Sequence, residues 1–201
     1  MSGARFPMSF IIALTLLQLS TTAMSANVEH LQSLQSTDYH YIESETIGRG
    51  FHIYVRLPPG YSESNESYPT AFILDGGNLF TLFAGYMSYL NFADDAPEII
   101  LVGLSYGANT FEGGNFRSTD FTAPSDERDY YGGAVHFQSF LKETVIPKIE
   151  ANYRSRSDRR IVFGQSLGGQ FVLYSAQTDP DPVSYTHLRA HETAMNISYA
   201  V

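Results

Sequence analysis

Five residues constrain this chain more than any others: Gly164-Gln165-Ser166-Leu167-Gly168. They follow the short apolar run Ile161-Val162-Phe163 and lead into Gln170 to Gln177, a helix-compatible segment. Strand, G-x-S-x-G, helix is the context in which this pattern becomes a sharp turn presenting a serine at a sheet edge. The serine in such a turn adopts strained dihedrals, and the glycines on both flanks are expected to let strand and helix approach closely. Ser166 is therefore the candidate nucleophile; the plainer alternatives are a chance match or a degenerate turn on an inactive relative. A serine is a poor nucleophile until a base takes its proton. In this arrangement an acid and then a histidine follow the serine in chain order.

The bulk composition narrows the partners. With 201 residues, 43% hydrophobic and 14% aromatic, the chain is large and apolar enough to fold around a real core. A net charge of −9 argues against nucleic acid or an anionic membrane as a partner. There is no cysteine, which excludes disulfides, thiolate metal sites and a cysteine nucleophile.

The N-terminus suggests export. Arg5 is the only charge in the first 26 residues, and Phe10 to Leu19 is an apolar core of signal-peptide length. It is shorter than the roughly 20 apolar residues that span a bilayer. Small residues follow, with cleavage expected after Ala23, Ser25 or Ala26. Residues 1–26 are thus expected to be a cleaved signal, leaving a periplasmic or secreted protein with no membrane association. Residues 27–41 are expected to form a polar arm.

From there the chain alternates strand and helix signals. Glu45 to Leu57 carries period-2 alternation and stops at Pro58-Pro59-Gly60. Thr70 to Leu74 and Glu98 to Leu104 are continuous apolar runs suited to strands buried on both faces. Between them Asn78 is expected to cap a helix from about Leu79 to Leu90. Tyr86 to Phe92 reads as core and loop packing rather than an aromatic substrate platform. Ser105 to Tyr131 lacks periodicity, and a loop that long is usually functional or mobile. Gly132 to Tyr153 reads as a helix kinked by Pro147. The fold class is α/β, a mostly parallel sheet with helices on both faces.

Several motifs together carry a resemblance. Tyr54-Val-Arg-Leu-Pro-Pro-Gly-Tyr61, Phe72-Ile-Leu-Asp-Gly-Gly77 and Arg117-Ser-Thr-Asp-Phe-Thr-Ala-Pro124 resemble the esterase branch of the α/β-hydrolases. So does the stretch from Phe140 through Asp158 to Gly169. This branch includes siderophore esterases of the enterobactin and salmochelin type, esterase D and feruloyl esterases. The resemblance runs from about Ile42 to Pro180, and an α/β-hydrolase domain is expected over 42–182. It implies ester hydrolysis through an acyl-enzyme at Ser166, on small carboxylic esters that include tri-catecholate siderophores, without a cofactor or metal. The acyltransferase variant and a non-catalytic ligand-binding relative are the alternatives; the oligomeric state stays open.

The same resemblance suggests the oxyanion donors. One backbone N–H comes from the residue after the nucleophile, Leu167, and the second from the loop after the third strand. That loop is Asp75-Gly76-Gly77-Asn78, so Gly76 or Gly77 is the candidate, without a choice between them. Arg117 is a candidate for holding a substrate carboxylate or catecholate oxygen, the alternative being an Arg–Asp pair that pins the loop. His40, His52 and His136 precede Ser166, whereas the family order puts the base after it.

The last stretch stands apart. Val183 to Thr193 resembles no part of this family and is similar to a translated transposon-type sequencing adapter, with Ile197 to Val201 like the start of a flow-cell primer. Residues 183–201 are expected to be non-native, and the triad acid and histidine to belong to sequence missing here. The 201-residue chain by itself is then expected to be inactive. His187 and His191 have the i, i+4 spacing of a zinc pair, but they fall in this tail and are assigned no metal.

Overall fold

The computed structural model describes residues 30–179 and the backbone of 188–189. The expected signal segment lies outside the described residues, as does the tail apart from those two positions. Strands β1 (Thr37–Ser44), β2 (Arg49–Arg56), β3 (Tyr68–Ile73), β4 (Ile100–Ser105), β5 (Ser155–Gln165) and β6 (Leu188–Arg189) form one sheet in the order β1-β2-β4-β3-β5-β6. β1, β2 and β4 pair antiparallel, whereas β4–β3, β3–β5 and β5–β6 are parallel.

The helices are α1 (Gly76–Phe92), α2 (Arg117–Asp120), α3 (Ala134–Phe140), α4 (Ile146–Asn152) and α5 (Leu167–Thr178). β4 lies on one side of β3 and β5 on the other. The connections β3-α1-β4 and β4-α3-α4-β5 therefore travel in opposite directions along the sheet. Right-handed crossovers then put α1 on one face and α3, α4 and α5 on the other. The core divides in the same way. Ala71, Ile73 and Leu101 pack with Phe80, Ala84 and Met87 of α1, while Phe72, Leu74 and Val102 pack with Phe137, Ile149, Phe171 and Val172. Alternate residues of β3 thus serve two cores, which is why its sequence is continuously apolar. No helix among the described residues is long and apolar enough to cross a membrane.

The structure revises several local expectations. β1 begins at Thr37, inside the stretch expected as a polar arm to residue 41, and pairs with β2 through the tight turn where Gly48 has φ 75°. Asn78 is not the cap of α1; that position is Asp75, in left-handed conformation, and the helix starts at Gly76. The aromatic stretch on α1 is not core packing. Tyr86, Tyr89 and Phe92 are 59%, 66% and 90% exposed, because the buried face of α1 is Gly76, Phe80, Ala84 and Met87, and a 100° step per residue turns these rings outward.

The long loop is anchored rather than free. It contains α2, and Asp120, Phe121 and Thr122 are buried. The Thr122 carbonyl accepts the Ala134 N–H at 3.1 Å and the Thr119 carbonyl accepts the Gly133 N–H at 2.9 Å, tying α2 to α3. The expected kink at Pro147 is present as a π-turn over Leu141–Val145 between α3 and α4. A proline offers no N–H to the carbonyl one turn back, and the wider turn absorbs that mismatch.

Candidate active site

Adjacent parallel strands β3 and β5 send their following helices, α1 and α5, to opposite faces of the sheet. The crevice outside their carboxyl ends is where open α/β sheets bind ligands. Asp75 ends one strand and Ser166 the other; Ile73 pairs with Phe163, and Leu74 N–H donates to the Phe163 carbonyl at 2.9 Å.

Ser166 has φ 56° and ψ −121°, outside the ordinary regions for a residue with a Cβ, and it is exposed. Such a backbone persists only where its surroundings hold it. Here the hold is steric. A Cβ on Gly164 would overlap the carbonyl of Gly168, so the strand before the serine and the helix after it touch backbone to backbone. Gly168 is different, because a Cβ there would meet Asp75 Oδ2 at 3.5 Å and the Leu74 Cβ at 3.6 Å, an ordinary contact. Of the two glycines flanking the serine, only Gly164 is required by close packing.

Two helix N-termini converge on this crevice. In α5 the first bond runs from Gln170 N–H to the Ser166 carbonyl at 3.0 Å. The earlier amides, beginning with Leu167, have no partner within the helix. In α1 the first bonds run from Asn78 and Leu79 N–H to the Asp75 carbonyl, each at 3.0 Å, which leaves the Gly76 and Gly77 amides in the same condition. The two glycines differ in surroundings. Gly76 is buried, and a Cβ on it would lie 2.6 Å from the Leu104 nitrogen; Gly77 is exposed. Gly76 thus lets α1 sit on β4, whereas Gly77 is exposed, with the Ser105 hydroxyl 2.8 Å from where a Cβ on it would lie. Both helix dipoles add positive potential where an oxyanion would develop.

Arg117 reaches into the same crevice. Its Nε donates to Asp75 Oδ1 at 2.7 Å and a terminal nitrogen to Oδ2 at 2.8 Å, and that nitrogen also reaches the Gln165 carbonyl at 3.4 Å. The bond to Asp75 holds its guanidinium pKa above the ordinary value. The partner of Arg117 is thus Asp75 and not its near neighbour Asp120. Asp120 is 1% exposed, forms an ion pair with Arg49 and accepts a hydrogen bond from the Tyr106 hydroxyl at 2.9 Å. Burial pushes the Asp120 carboxyl up despite Arg49, and it pushes the Tyr106 hydroxyl well up, with Asp120 adding to the effect. The Arg49 guanidinium also lies 4.5 Å from the centre of the Phe116 ring.

Asp75, Arg49 and Tyr106 are the residues that motif reading missed. Arg49 and Tyr106 belong to no local pattern; Asp75 stood in view within the Asp-Gly-Gly turn, but its partner lies 42 positions away. The histidines lie elsewhere. His40 Nε2 is 2.6 Å from the Tyr153 hydroxyl, His52 Nδ1 is 2.8 Å from the Tyr39 hydroxyl, and His136 is exposed on α3. Among the described residues none hydrogen-bonds Ser166, and no cluster of metal-ligating side chains is present.

Comparison with known proteins bears on the fold and the family. The chain is 27% identical over 177 residues to ferri-bacillibactin esterase BesA of Bacillus subtilis, covering 81% of this chain and 60% of that protein. It is 26% identical over 154 residues to apo-salmochelin esterase of Escherichia coli O6:H1, covering 70% of this chain and 48% of that protein. The chain therefore spans about half to three fifths of the length of these relatives. Among solved structures, the BES protein from Bacillus cereus superposes with a TM-score of 0.71 at 24% identity, covering 89% of this chain and 68% of that one. The enterobactin and salmochelin hydrolase IroE superposes with a TM-score of 0.58 at 25% identity, covering 71% and 57%. The family model described as "Putative esterase" matches residues 44–194. With its α/β-hydrolase fold, the chain belongs to that esterase family.

Proposed function

We propose that this protein is an exported serine hydrolase of carboxylic esters. The observation that carries the reading is Ser166: exposed, held at φ 56°, and set between the amide-bearing starts of α1 and α5. In the proposed reaction the Ser166 Oγ attacks the ester carbonyl carbon as a base takes its proton. The carbonyl oxygen becomes an oxyanion facing the Leu167 amide and, from the other helix, the Gly77 amide; its exposure favours Gly77 over Gly76. Collapse releases the alcohol, which receives the proton, and leaves an acyl-enzyme that water hydrolyses to the carboxylic acid. The proposed base is a histidine outside residues 30–179; within that range His40 and His52 are hydrogen-bonded to tyrosines, and no histidine bonds Ser166. Native sequence other than residues 183–201 is the proposed source of both the base and its acid partner.

The relatives named for ferri-bacillibactin and apo-salmochelin support ester-linked siderophores as the substrate class. Arg117, bound to Asp75 on one edge, is proposed to offer its remaining donors to such a substrate. Residues 1–26 are proposed to direct export and to be removed.

Reaction of the full-length protein with a fluorophosphonate, read by intact mass, tests the proposal. One adduct that Ser166→Ala abolishes, together with turnover of p-nitrophenyl acetate, is the expected result. Absence of an adduct sinks the hydrolase reading in favour of a non-catalytic ligand-binding relative. An acyl product on an added alcohol in place of free acid marks a transferase.

A further inference from the structure

We infer that Asp75 and Arg117 act as positioning residues for the oxyanion site, Arg117 holding the Asp75 carboxylate away from the amides of α1 so that Gly77 can donate to substrate. The inference rests on the hydrolase reading above and concerns how its donor pair is kept available.

Aspartate is among the strongest helix N-caps because its carboxylate accepts the N–H of the second or third helical residue. Asp75 occupies the N-cap position of α1, yet its side chain makes no capping bond. Gly77 and Asn78 are the residues whose amides such a cap would engage. The carboxylate instead faces the other way, with both oxygens taken by the fork of Arg117 at 2.7 and 2.8 Å. The backbone cooperates: Asp75 sits at φ 55° and ψ 36°, a left-handed conformation unlike the extended one of a capping aspartate.

That geometry resolves a conflict. A free carboxylate two residues before an oxyanion donor is an anion competing for the same N–H, and it would repel the charge that develops in the transition state. Binding both oxygens to a guanidinium neutralises it and aims it elsewhere. Arg117 also donates to the Gln165 carbonyl at 3.4 Å, one residue before Ser166, and the Asp75 carboxylate borders Gly168. The pair therefore spans the two strand ends that must stay in register for the Leu167 and Gly77 amides to face one oxygen. A role limited to pinning the long loop would explain the ion pair, but it gives no reason for a carboxylate turned away from its own helix.

A mutant cycle in the full-length protein separates the two roles. Arg117→Met frees the carboxylate; Asp75→Gly removes it and suits the left-handed backbone. With p-nitrophenyl acetate, which offers Arg117 no carboxylate or catecholate to hold, Arg117→Met is expected to lower kcat about tenfold or more, with KM changed much less, because an oxyanion donor acts mainly on the transition state. Adding Asp75→Gly to Arg117→Met is expected to recover part of that loss. Arg117→Lys, which keeps the charge without the fork, is expected to fall between wild type and Arg117→Met, and it serves if the methionine variant does not fold. The fluorophosphonate labelling rate should follow the same order. A double variant no better than Arg117→Met overturns the inference, as does a loss confined to KM or to thermal stability. Wild type that labels at Ser166, with variants labelling equally fast, defeats the inference and leaves the hydrolase reading intact. Wild type that does not label defeats both.

Discussion

Gly164 and Gly168 touch backbone to backbone: a Cβ placed on Gly164 would overlap the carbonyl of Gly168, whereas a Cβ placed on Gly168 would find ordinary contacts at 3.5 Å and beyond. The glycines of this motif are therefore not equivalent. Gly164→Ala is expected to destabilise by about 3 kcal/mol or to prevent soluble expression, since neither backbone can move without unpairing β5. Gly168→Ala, inside α5, should change stability by less than about 1 kcal/mol. Urea denaturation midpoints of the two variants check the asymmetry.

Ser166 stores backbone strain. A non-glycine residue held at φ 56° and ψ −121° costs on the order of 1–3 kcal/mol. Replacing it with glycine removes that strain, offset in part by the extra freedom of glycine in the unfolded chain. Ser166→Gly is expected to raise stability by about 1 kcal/mol while abolishing fluorophosphonate labelling. A thermal midpoint at or below that of wild type would count against a strained turn.

The buried Asp120 sets a pH dependence. Its folded pKa is raised, burial outweighing the Arg49 pair, so the folded state holds this proton more tightly than the unfolded chain does. Such a group contributes its full stabilisation below the unfolded value of about 3.9, and the contribution is lost as pH rises through the folded pKa. Compared with Asp120→Asn, wild type should lose relative stability as pH is raised from 3 toward 6. A difference between the two that stays flat over that range would contradict the raised pKa.

The outer side of α1 carries Leu82, Tyr86 and Tyr89 at 65%, 59% and 66% exposure. Substituting any one of them with glutamine should shift stability by no more than about 0.5 kcal/mol. Phe80→Ala on the buried side should cost about 3–5 kcal/mol. Calorimetry of the variants distinguishes this arrangement from the core role that hydrophobicity alone implies for Tyr86 and Tyr89.

How much was legible follows the range of the interactions. The turn at Ser166, the continuous apolar strands and the kink at Pro147 are written in runs of a few residues, where strand burial, glycine packing and a missing N–H act locally. β1 was harder. As an edge strand it exposes Tyr39 and Tyr41 and buries Ile42 and Ser44, so its apolar residues fall on both parities. The exposed rings of α1 misled because hydrophobicity does not say which of two apolar flanks meets the sheet. The ion pairs were out of reach altogether: Arg49 finds Asp120 across 71 positions and Arg117 finds Asp75 across 42. Motif reading placed Arg117 beside the crevice without its partner, because charge alone does not choose between Asp75 and the nearer Asp120.

The parallel pairing of β3 with β5 has a kinetic meaning as well. Thr70 meets Arg160, so this seam closes one of the longest loops in the domain, with α1, β4, the long loop, α3 and α4 inside it. Loop-closure entropy makes such pairings slow, and contacts nearer in sequence form first. Ser166 sits just past the end of this seam, and the Asp75–Arg117 bridge spans it. The strained turn is thus expected to take shape late in folding, once β3 has joined β5 and the sheet can hold it.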